Sequence, residues 1–257
     1  MNSDINISRD NNFDLLRVLA ALCVLVSHSF AIVTGDPDTE PLNDFLGVSL
    51  GSLSVDFFFV SSGFLVCASY MHRRSPLSFV KARALRIFPG LIVMLVLTLI
   101  FVGSVISRQP ILSFFTDIQT WTYLAKNTFL FFGVEYALPG AFEELPYANV
   151  INGSLWTLPH ELRAYLALLL ICWFTIHFLS FNYLRFILLL TSLLALGFEL
   201  LTEFIQIRLP YHQFFHLFGL FSAGATLLLW DVHKNKHLHS ITIVSGLGLL
   251  ICVYFDV

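Results

Sequence analysis

Long apolar runs recur along the chain, and they constrain its fold more than any other feature. Seven of them are about 20 residues long, the length that an α-helix needs to cross a bilayer. Backbone polar groups cannot stay unpaired in lipid, so these runs are expected to form helices. The runs lie near residues 13–34, 50–70, 87–107, 156–179, 183–205, 213–231 and 240–257.

A shorter apolar segment, from Trp121 to Gly133, is not long enough for a span and suits an interfacial or re-entrant position better. The sequence therefore predicts an all-α fold, a polytopic transmembrane helix bundle with about seven to eight spans. We expect a single membrane domain over residues 1–257. It is expected to be incomplete at its C-terminal end, because the chain stops inside an apolar run.

The composition excludes an ordinary soluble domain. Only 12% of the residues are charged and the mean hydropathy is +0.79, whereas about a quarter of the residues are charged in soluble domains. The four cysteines lie within apolar runs and are interpreted as small hydrophobic residues. His212 and His216, like His233 and His237, have i, i+4 spacing without an evident third ligand, so no metal site is expected. No nucleic-acid partner is expected either.

The cationic residues between the runs predict the orientation of the bundle. Five follow the second run, one follows the fourth and two follow the sixth: Arg73, Arg74, Lys81, Arg83, Arg86, Arg185, Lys234 and Lys236. With seven spans and a cytoplasmic N-terminus, all of them fall on the cytoplasmic side, as the positive-inside rule requires. The long stretch 107–159 then lies outside, and loops of that length are commonly functional.

The first run contains three ionisable residues, Asp14, Arg17 and His28, and intramembrane charges are functional candidates by default. Arg17 and His28 are separated by about three helical turns, roughly 16 Å, so both face the same way. This spacing favours a polar stripe that faces into the bundle. In the alternative, Asp14 and Arg17 reach the headgroups or orient the helix, and a neutral His28 is satisfied by a neighbouring serine.

The segment after the second run carries Lys81, Arg83 and Arg86, which we expect on the cytoplasmic side, before the third span. Arg83 and Arg86 are one helical turn apart, and a pair of guanidinium groups beside a membrane cavity suits a phosphorylated ligand. The positive-inside bias by itself would also explain some of these arginines.

The second run begins with Asp56 and continues to Ser61, Ser62 and Gly63, small residues that allow helices to approach closely. Asp56 lies near the outer end of the run. It is either a residue at the membrane boundary or part of a substrate-binding site.

The fourth run opens with Trp156 and Pro159, which suit a membrane interface and the first turn of a helix. Glu161 and Tyr165 follow on one helical face. Glu161 is expected at about the depth of His28, where a carboxylate would orient the imidazole. In the alternative, Glu161 is a surface residue paired with a nearby arginine.

Four motifs together resemble acyltransferase family 3, a family of bacterial membrane-bound O-acyltransferases. They are Arg17 and His28 at R-x10-H spacing, FFFVSSGFL at 57–65, RALRIFP at 83–89 and SLWTLPHELRAYL at 154–166. The motifs occur in the order found in that family and cover roughly residues 12–180. Family members usually have about ten spans, so the resemblance implies that this chain is shorter at its C-terminal end.

The resemblance implies transfer of an acyl group, usually acetyl, from acetyl-CoA to a hydroxyl of an extracytoplasmic carbohydrate such as a polysaccharide or lipopolysaccharide. It implies a bacterial inner-membrane protein that contacts membrane lipid, acyl-CoA and a glycan acceptor, with no permanently bound cofactor. His28 would be the catalytic histidine, with Arg17, Glu161 and Asp14 as its partners. Arg83 and Arg86 would engage coenzyme A, together with Lys81.

Asp56, Trp156 and Tyr165 complete the expected site as substrate-binding residues. In one mechanism, His28 takes the proton of the sugar hydroxyl as it attacks the thioester. In another, the acyl group passes through His28 itself. A transporter or flippase using the same polar stripe, and an inactive fragment, remain as alternative functions.

Overall fold

The computed structural model describes residues 12–131, 133–207 and 212–230, with the side chain of residue 203 excluded. The described part is helical and contains no β-strand. The seventh predicted span, and the predicted roles of His233, His237, Lys234 and Lys236, lie outside the described residues.

Nine α-helices follow one another along the described residues. They are α1 (Phe13–Thr34), α2 (Pro41–Leu46), α3 (Leu50–Arg73), α4 (Pro76–Phe101), α5 (Ile111–Thr116), α6 (Ile118–Phe129), α7 (Thr157–Phe174), α8 (Phe181–Phe204) and α9 (His212–Leu229). Short 3-10 turns at Pro37–Thr39 and Gly153–Trp156 precede α2 and α7, and π-turns at Val102–Ile106 and Thr175–Leu179 extend α4 and α7.

Six of these helical segments are long and apolar enough to cross a membrane. They confirm the predicted helix bundle and match the first six predicted spans, although seven to eight spans is slightly more than the described residues contain. The three described cysteines, Cys23, Cys67 and Cys172, are free thiols.

Local sequence signals set the helix ends. Ser49 accepts a hydrogen bond from the backbone N–H of Ser52 at 3.0 Å and caps α3. Ser75 caps α4, whose first residue is a proline. Gly35 ends α1 with φ +80°, a left-handed conformation that glycine adopts without strain. Pro159 lies in the first turn of α7, as the sequence predicts.

The third span begins at residue 76, earlier than the start near residue 87 that the sequence predicts. The span covers 31 residues, Pro76–Ile106, so Lys81, Arg83 and Arg86 belong to the helix itself. Ser75 caps the helix, and good helix formers continue through this charged stretch. A helix of this length extends about 46 Å, more than the roughly 30 Å hydrocarbon core, so one end must project beyond it.

The α6 segment is shorter than a span, as predicted, and packs against α4. The side-chain amide of Asn152 donates hydrogen bonds to the Tyr123 hydroxyl of α6 at 3.0 Å and to the Thr98 hydroxyl of α4 at 3.1 Å. These hydrogen bonds hold α6 against α4, beside the stretch that precedes α7.

Two hydrophobic clusters hold the helices together. One joins α3, α7, α8 and α9, and the other joins α4, α6 and the stretch before α7. Gly63 of α3 lies against the backbone of α9, where an added Cβ would be 1.8 Å from the carbonyl oxygen of Phe221. Gly224 of α9 makes the reciprocal approach to Val60. The predicted close packing at Gly63 is therefore confirmed.

Candidate functional site

Arg17 and Glu161 lie together inside the bundle. A terminal nitrogen of Arg17 donates a hydrogen bond to the Ser62 hydroxyl of α3 at 3.0 Å. Glu161 of α7 accepts a hydrogen bond from the Tyr165 hydroxyl one turn later, which confirms their shared helical face. Arg17 and Glu161 both line two cavities, of about 130 and about 400 Å³. The arrangement supplies one fixed cation and one fixed anion to the same polar space.

Arg86 and Arg83 extend this polar space along α4. Arg86 lines the cavity of about 400 Å³ with Arg17 and Glu161. Arg83 lies with its guanidinium carbon 5.7 Å from the Tyr165 ring centre. Its Nε is buried without a hydrogen-bond partner among the described residues, so the guanidinium retains a donor for a further group.

Arg83 also lines a third cavity, of about 190 Å³, whose walls are otherwise formed by apolar and aromatic side chains of α4 and α7. Lys81 is exposed and lies outside the lining of these cavities. The structure therefore brings Arg86 into the cavity with Arg17 and Glu161, places Arg83 at a neighbouring apolar cavity, and leaves Lys81 outside both.

His28 is half-buried and lines a cavity of about 560 Å³. Trp156 and Thr157, at the start of α7, form part of its wall. Val55, Phe58 and Thr157 line both this cavity and the 130 Å³ cavity that contains Arg17. Adjoining cavities thus follow one side of α1 from Arg17 to His28, as the predicted polar stripe requires.

Two details differ from the sequence-based expectation. Glu161 lies with Arg17 and Tyr165, and no hydrogen bond joins it to His28 within the described chain. The helix α7 begins beside His28, so a residue one turn further along lies deeper in the bundle. Asp14 is exposed in the first turn of α1, outside the lining of the cavities with Arg17.

Asp56, expected as a substrate-binding residue, is not among the residues that line these cavities. One of its carboxylate oxygens lies 2.7 Å from Nε2 of His216 in α9. The other imidazole nitrogen, Nδ1, lies 2.7 Å from a carboxylate oxygen of Glu199 in α8. In the sequence, His216 has only the spacing of a metal ligand, and no pattern points to Glu199. Their separation of up to 160 residues gives no local signal for the contact.

Glu40, like Glu199, contacts other helices in a way that no sequence pattern predicts. It is only 2% exposed, although it lies in the acidic segment between α1 and α3. Its carboxylate accepts hydrogen bonds from the backbone N–H of Leu50 at 2.7 Å and from the Ser27 hydroxyl. Ser27 precedes His28 and lines the same cavity. Glu40 therefore ties α1 to the first turn of α3, and a carboxylate is favourable at a helix N-terminus.

Another histidine, His160, lies beside Trp156 at the start of α7. Its ring is 5.9 Å from the Trp156 ring and stacks on Phe214 of α9 at 6.2 Å. Its Nδ1 is buried and has no hydrogen-bond partner within the described chain. The residue lies in the SLWTLPHELRAYL motif at 154–166, but nothing in its spacing singled it out.

The stretch between α4 and α7 is ordered by polar contacts. Asn127 is fully buried and exchanges two hydrogen bonds with the backbone of Glu135. Lys126 also forms an ion pair with the Glu135 carboxylate at 2.9 Å. At the surface, Arg108 binds Glu144 through both terminal nitrogens, and its hydrogen bonds and charge lower the pKa of that carboxyl.

Comparison with known proteins adds independent information. A family model described as "Acyltransferase domain", the acyltransferase 3 model, matches residues 10–257. The chain is 31% identical over 244 residues to a protein named O-acetyl transferase from Shigella phage Sf6, covering 94% of this chain and 69% of that protein.

The chain is also 32% identical over 240 residues to Nodulation protein 10 from Rhizobium leguminosarum bv. viciae. That alignment covers 88% of this chain and 61% of the relative. The chain thus spans about two thirds of the length of these relatives. No solved structure matches it.

Proposed function

Because the chain belongs to the acyltransferase 3 family, we propose that it transfers an acetyl group from acetyl-CoA to a hydroxyl of an extracytoplasmic glycan. The family assignment confirms the resemblance found in the four motifs. The name O-acetyl transferase, which belongs to the relative from Shigella phage Sf6, supports acetyl as the group and oxygen as the acceptor atom. The six membrane-spanning helices make the chain a multi-pass membrane protein.

The observation that carries the proposal is the series of adjoining cavities along α1. Arg86 lies toward one end of the series, Arg17 and Glu161 lie in the middle, and His28 lies at the other end. Arg83, one turn before Arg86 on α4, lines a neighbouring apolar cavity. An anionic, elongated donor such as coenzyme A requires cations for its phosphates and a passage for its pantetheine arm. Guanidinium groups meet the first need because they form bidentate, charge-assisted hydrogen bonds with phosphate.

The positive-inside rule supports a cytoplasmic N-terminus in a bacterial inner membrane. Arg73 and Arg74, at the end of α3, and Arg185, near the start of α8, then lie on the donor side with Arg83 and Arg86. His28 lies six residues before the end of α1, about 9 Å from the opposite surface. An acceptor hydroxyl would meet it there, beside Trp156.

In the proposed reaction, the acceptor oxygen attacks the thioester carbonyl carbon while His28 removes the hydroxyl proton. The C–S bond breaks, the coenzyme A thiolate leaves and takes up a proton, and an O-acetyl ester remains on the glycan. In the alternative, the His28 imidazole first takes the acetyl group from the thioester and releases coenzyme A, and the acceptor oxygen then takes the acetyl group from the histidine. In either route, Arg17 is held by Ser62 and balanced by Glu161, so its charge stays fixed near the donor.

The test is acetyl incorporation into glycan, measured in membrane vesicles with labelled acetyl-CoA. His28→Ala should reduce incorporation by about 10²- to 10⁴-fold, the usual contribution of a general base. His177→Ala is a matched control, because His177 is exposed at the end of its helix and hydrogen bonds only to the Trp173 carbonyl. Equal membrane abundance of both variants is required.

Vesicle orientation tests the donor side. External acetyl-CoA should label glycan when the surface near Arg83 and Arg86 faces outward, and not in the opposite orientation. Incorporation that is unchanged in His28→Ala would remove this histidine from the chemistry. Absence of incorporation in the unmodified protein, with uptake of a polar solute, would favour transport instead.

A further inference from the structure

Three ionisable side chains meet where α3, α8 and α9 pack together. The His216 imidazole stands between Asp56 and Glu199, and each of its nitrogens is 2.7 Å from a carboxylate oxygen. Each residue comes from a different helix, and all three belong to membrane-spanning segments. Their side chains are 18–31% exposed, so the group is only partly shielded.

The two short contacts require an additional proton. A neutral imidazole has one N–H and can donate only one hydrogen bond, whereas an ionised carboxylate can only accept. Both contacts are hydrogen bonds only if the imidazole is doubly protonated or one carboxyl group carries a proton. Unpaired charges are costly inside a membrane bundle. Both hydrogen bonds therefore form only when the three residues together carry one proton more than a neutral imidazole and two ionised carboxylates would.

This group joins α9 to the helix that forms one wall of the His28 cavity. Asp56 and Gly63 lie on the face of α3 that meets α9. Three other residues of the same helix, Ser52, Val55 and Phe58, line the cavity with His28. A change in the contact between α3 and α9 would therefore move that wall.

We propose that Asp56, His216 and Glu199 form a proton-dependent clamp, which holds α9 against α3 and α8 and weakens when its proton is lost. The clamp gives Asp56 a positioning role in place of the substrate-binding role expected from the sequence. Its effect on acetyl transfer rests on the proposed function, whereas its effect on helix packing does not.

The direction of the pH effect follows from the charges. With the proton bound, a cationic imidazole separates two anions. After the proton is lost, one contact has no hydrogen and the two carboxylates repel each other through a neutral ring. The stabilisation is therefore present near neutral pH and falls as the pH rises through the range in which the clamp releases its proton.

Other ionisable groups around His216 are few within the described chain. Asp56 from α3 and Glu199 from α8 contact it directly. His212 lies one turn earlier on α9. α7 contributes His160, which stacks on Phe214, and Arg163, which is close enough to His160 to interact with it electrostatically. The hydrogen bonds of the His216 nitrogens join them to Glu199 and Asp56, so a substitution at His212 controls for the loss of an imidazole from the same helix.

The test is the apparent unfolding temperature of the full chain in detergent, measured from about pH 6 to about pH 10. His216→Gln should lower it by about 4 °C or more near neutral pH, and the difference from the unmodified protein should vanish at the alkaline end. His212→Gln should keep the unmodified pH profile. Parallel pH profiles for His216→Gln and the unmodified protein would overturn the clamp.

Asp56→Asn provides a second variant if His216→Gln does not fold. The amide keeps the carboxylate shape and can pair with a neutral imidazole, so this variant should also lose the alkaline decrease in unfolding temperature. An alkaline decrease equal to that of the unmodified protein would contradict the proposal.

Acetyl incorporation at the same pH values separates this proposal from the proposed function. The unmodified protein should lose incorporation at alkaline pH together with stability, and Asp56→Asn should not. Incorporation that is absent at every pH, combined with the expected unfolding profiles, would reject the acetyltransferase proposal and retain the clamp.

Discussion

The close contact between α3 and α9 allows a quantitative prediction for Gly63→Ala. The added Cβ would lie 1.8 Å from the Phe221 carbonyl oxygen, whereas ordinary contacts begin at 3.4 Å, so the two backbones must separate by about 1.6 Å. Neither partner is a flexible side chain, so local rearrangement cannot absorb the shift. Overpacking of this kind costs about 1–3 kcal/mol or more.

Gly197→Ala in α8 is the matched control, because a Cβ there meets nothing within 4 Å. The control should gain up to about 1 kcal/mol from the higher helix propensity of alanine. The two variants should therefore differ by about 1–4 kcal/mol, or about 2–16 °C in apparent unfolding temperature for a chain of this size.

The measurement is the fraction of monodisperse protein that remains in detergent after heating through a temperature series. Both variants are compared with the unmodified chain at equal expression. Equal midpoints for Gly63→Ala and Gly197→Ala would refute the reasoning, because they would mean that α3 and α9 do not approach through their backbones at Gly63.

Three further predictions address the remaining contacts. Asn152→Ala should lower stability by about 1–3 kcal/mol in a thermal unfolding assay, because the buried Tyr123 hydroxyl loses its donor; an unchanged midpoint would contradict this. Arg108→Ala should raise the pKa of Glu144 toward its ordinary value, and carboxyl ¹³C titration measures it. The pair's contribution to stability is present above the ordinary pKa range of a carboxyl group and is lost as the pH falls through the lowered pKa. Because the pair is exposed, this contribution is small, and the unfolding temperature at neutral pH should decrease only slightly. Tyr165→Phe should reduce acetyl incorporation about tenfold, through loss of a hydrogen bond to a carboxylate, and full activity at equal abundance would count against it.

Local patterns in the sequence were sufficient to predict the membrane-spanning helices and the contacts made within one helix. The apolar runs predicted six of the described helices because a bilayer imposes both length and hydrophobicity. The Glu161–Tyr165 contact followed from helical periodicity. The R-x10-H spacing placed Arg17 and His28 on one side of α1, and both line adjoining cavities there.

Contacts between helices distant in sequence were decided only by the tertiary structure. The 160 residues between Asp56 and His216 carry no periodic signal that could pair them. Glu161 meets Arg17 instead of His28 because the starting point of α7 relative to α1 sets its depth, and helix packing determines that offset. Glu40 looks like a surface residue in an acidic loop, yet it is buried because α1 and α3 close around it.

The sequence by itself thus determined a membrane helix bundle, its family and the residues on one side of its first helix, since these depend on hydrophobicity, periodicity and short motifs. The tertiary structure decided which of the charged residues meet. That depends on the offsets and crossings of whole helices, which are set by packing such as that of Gly63 against α9.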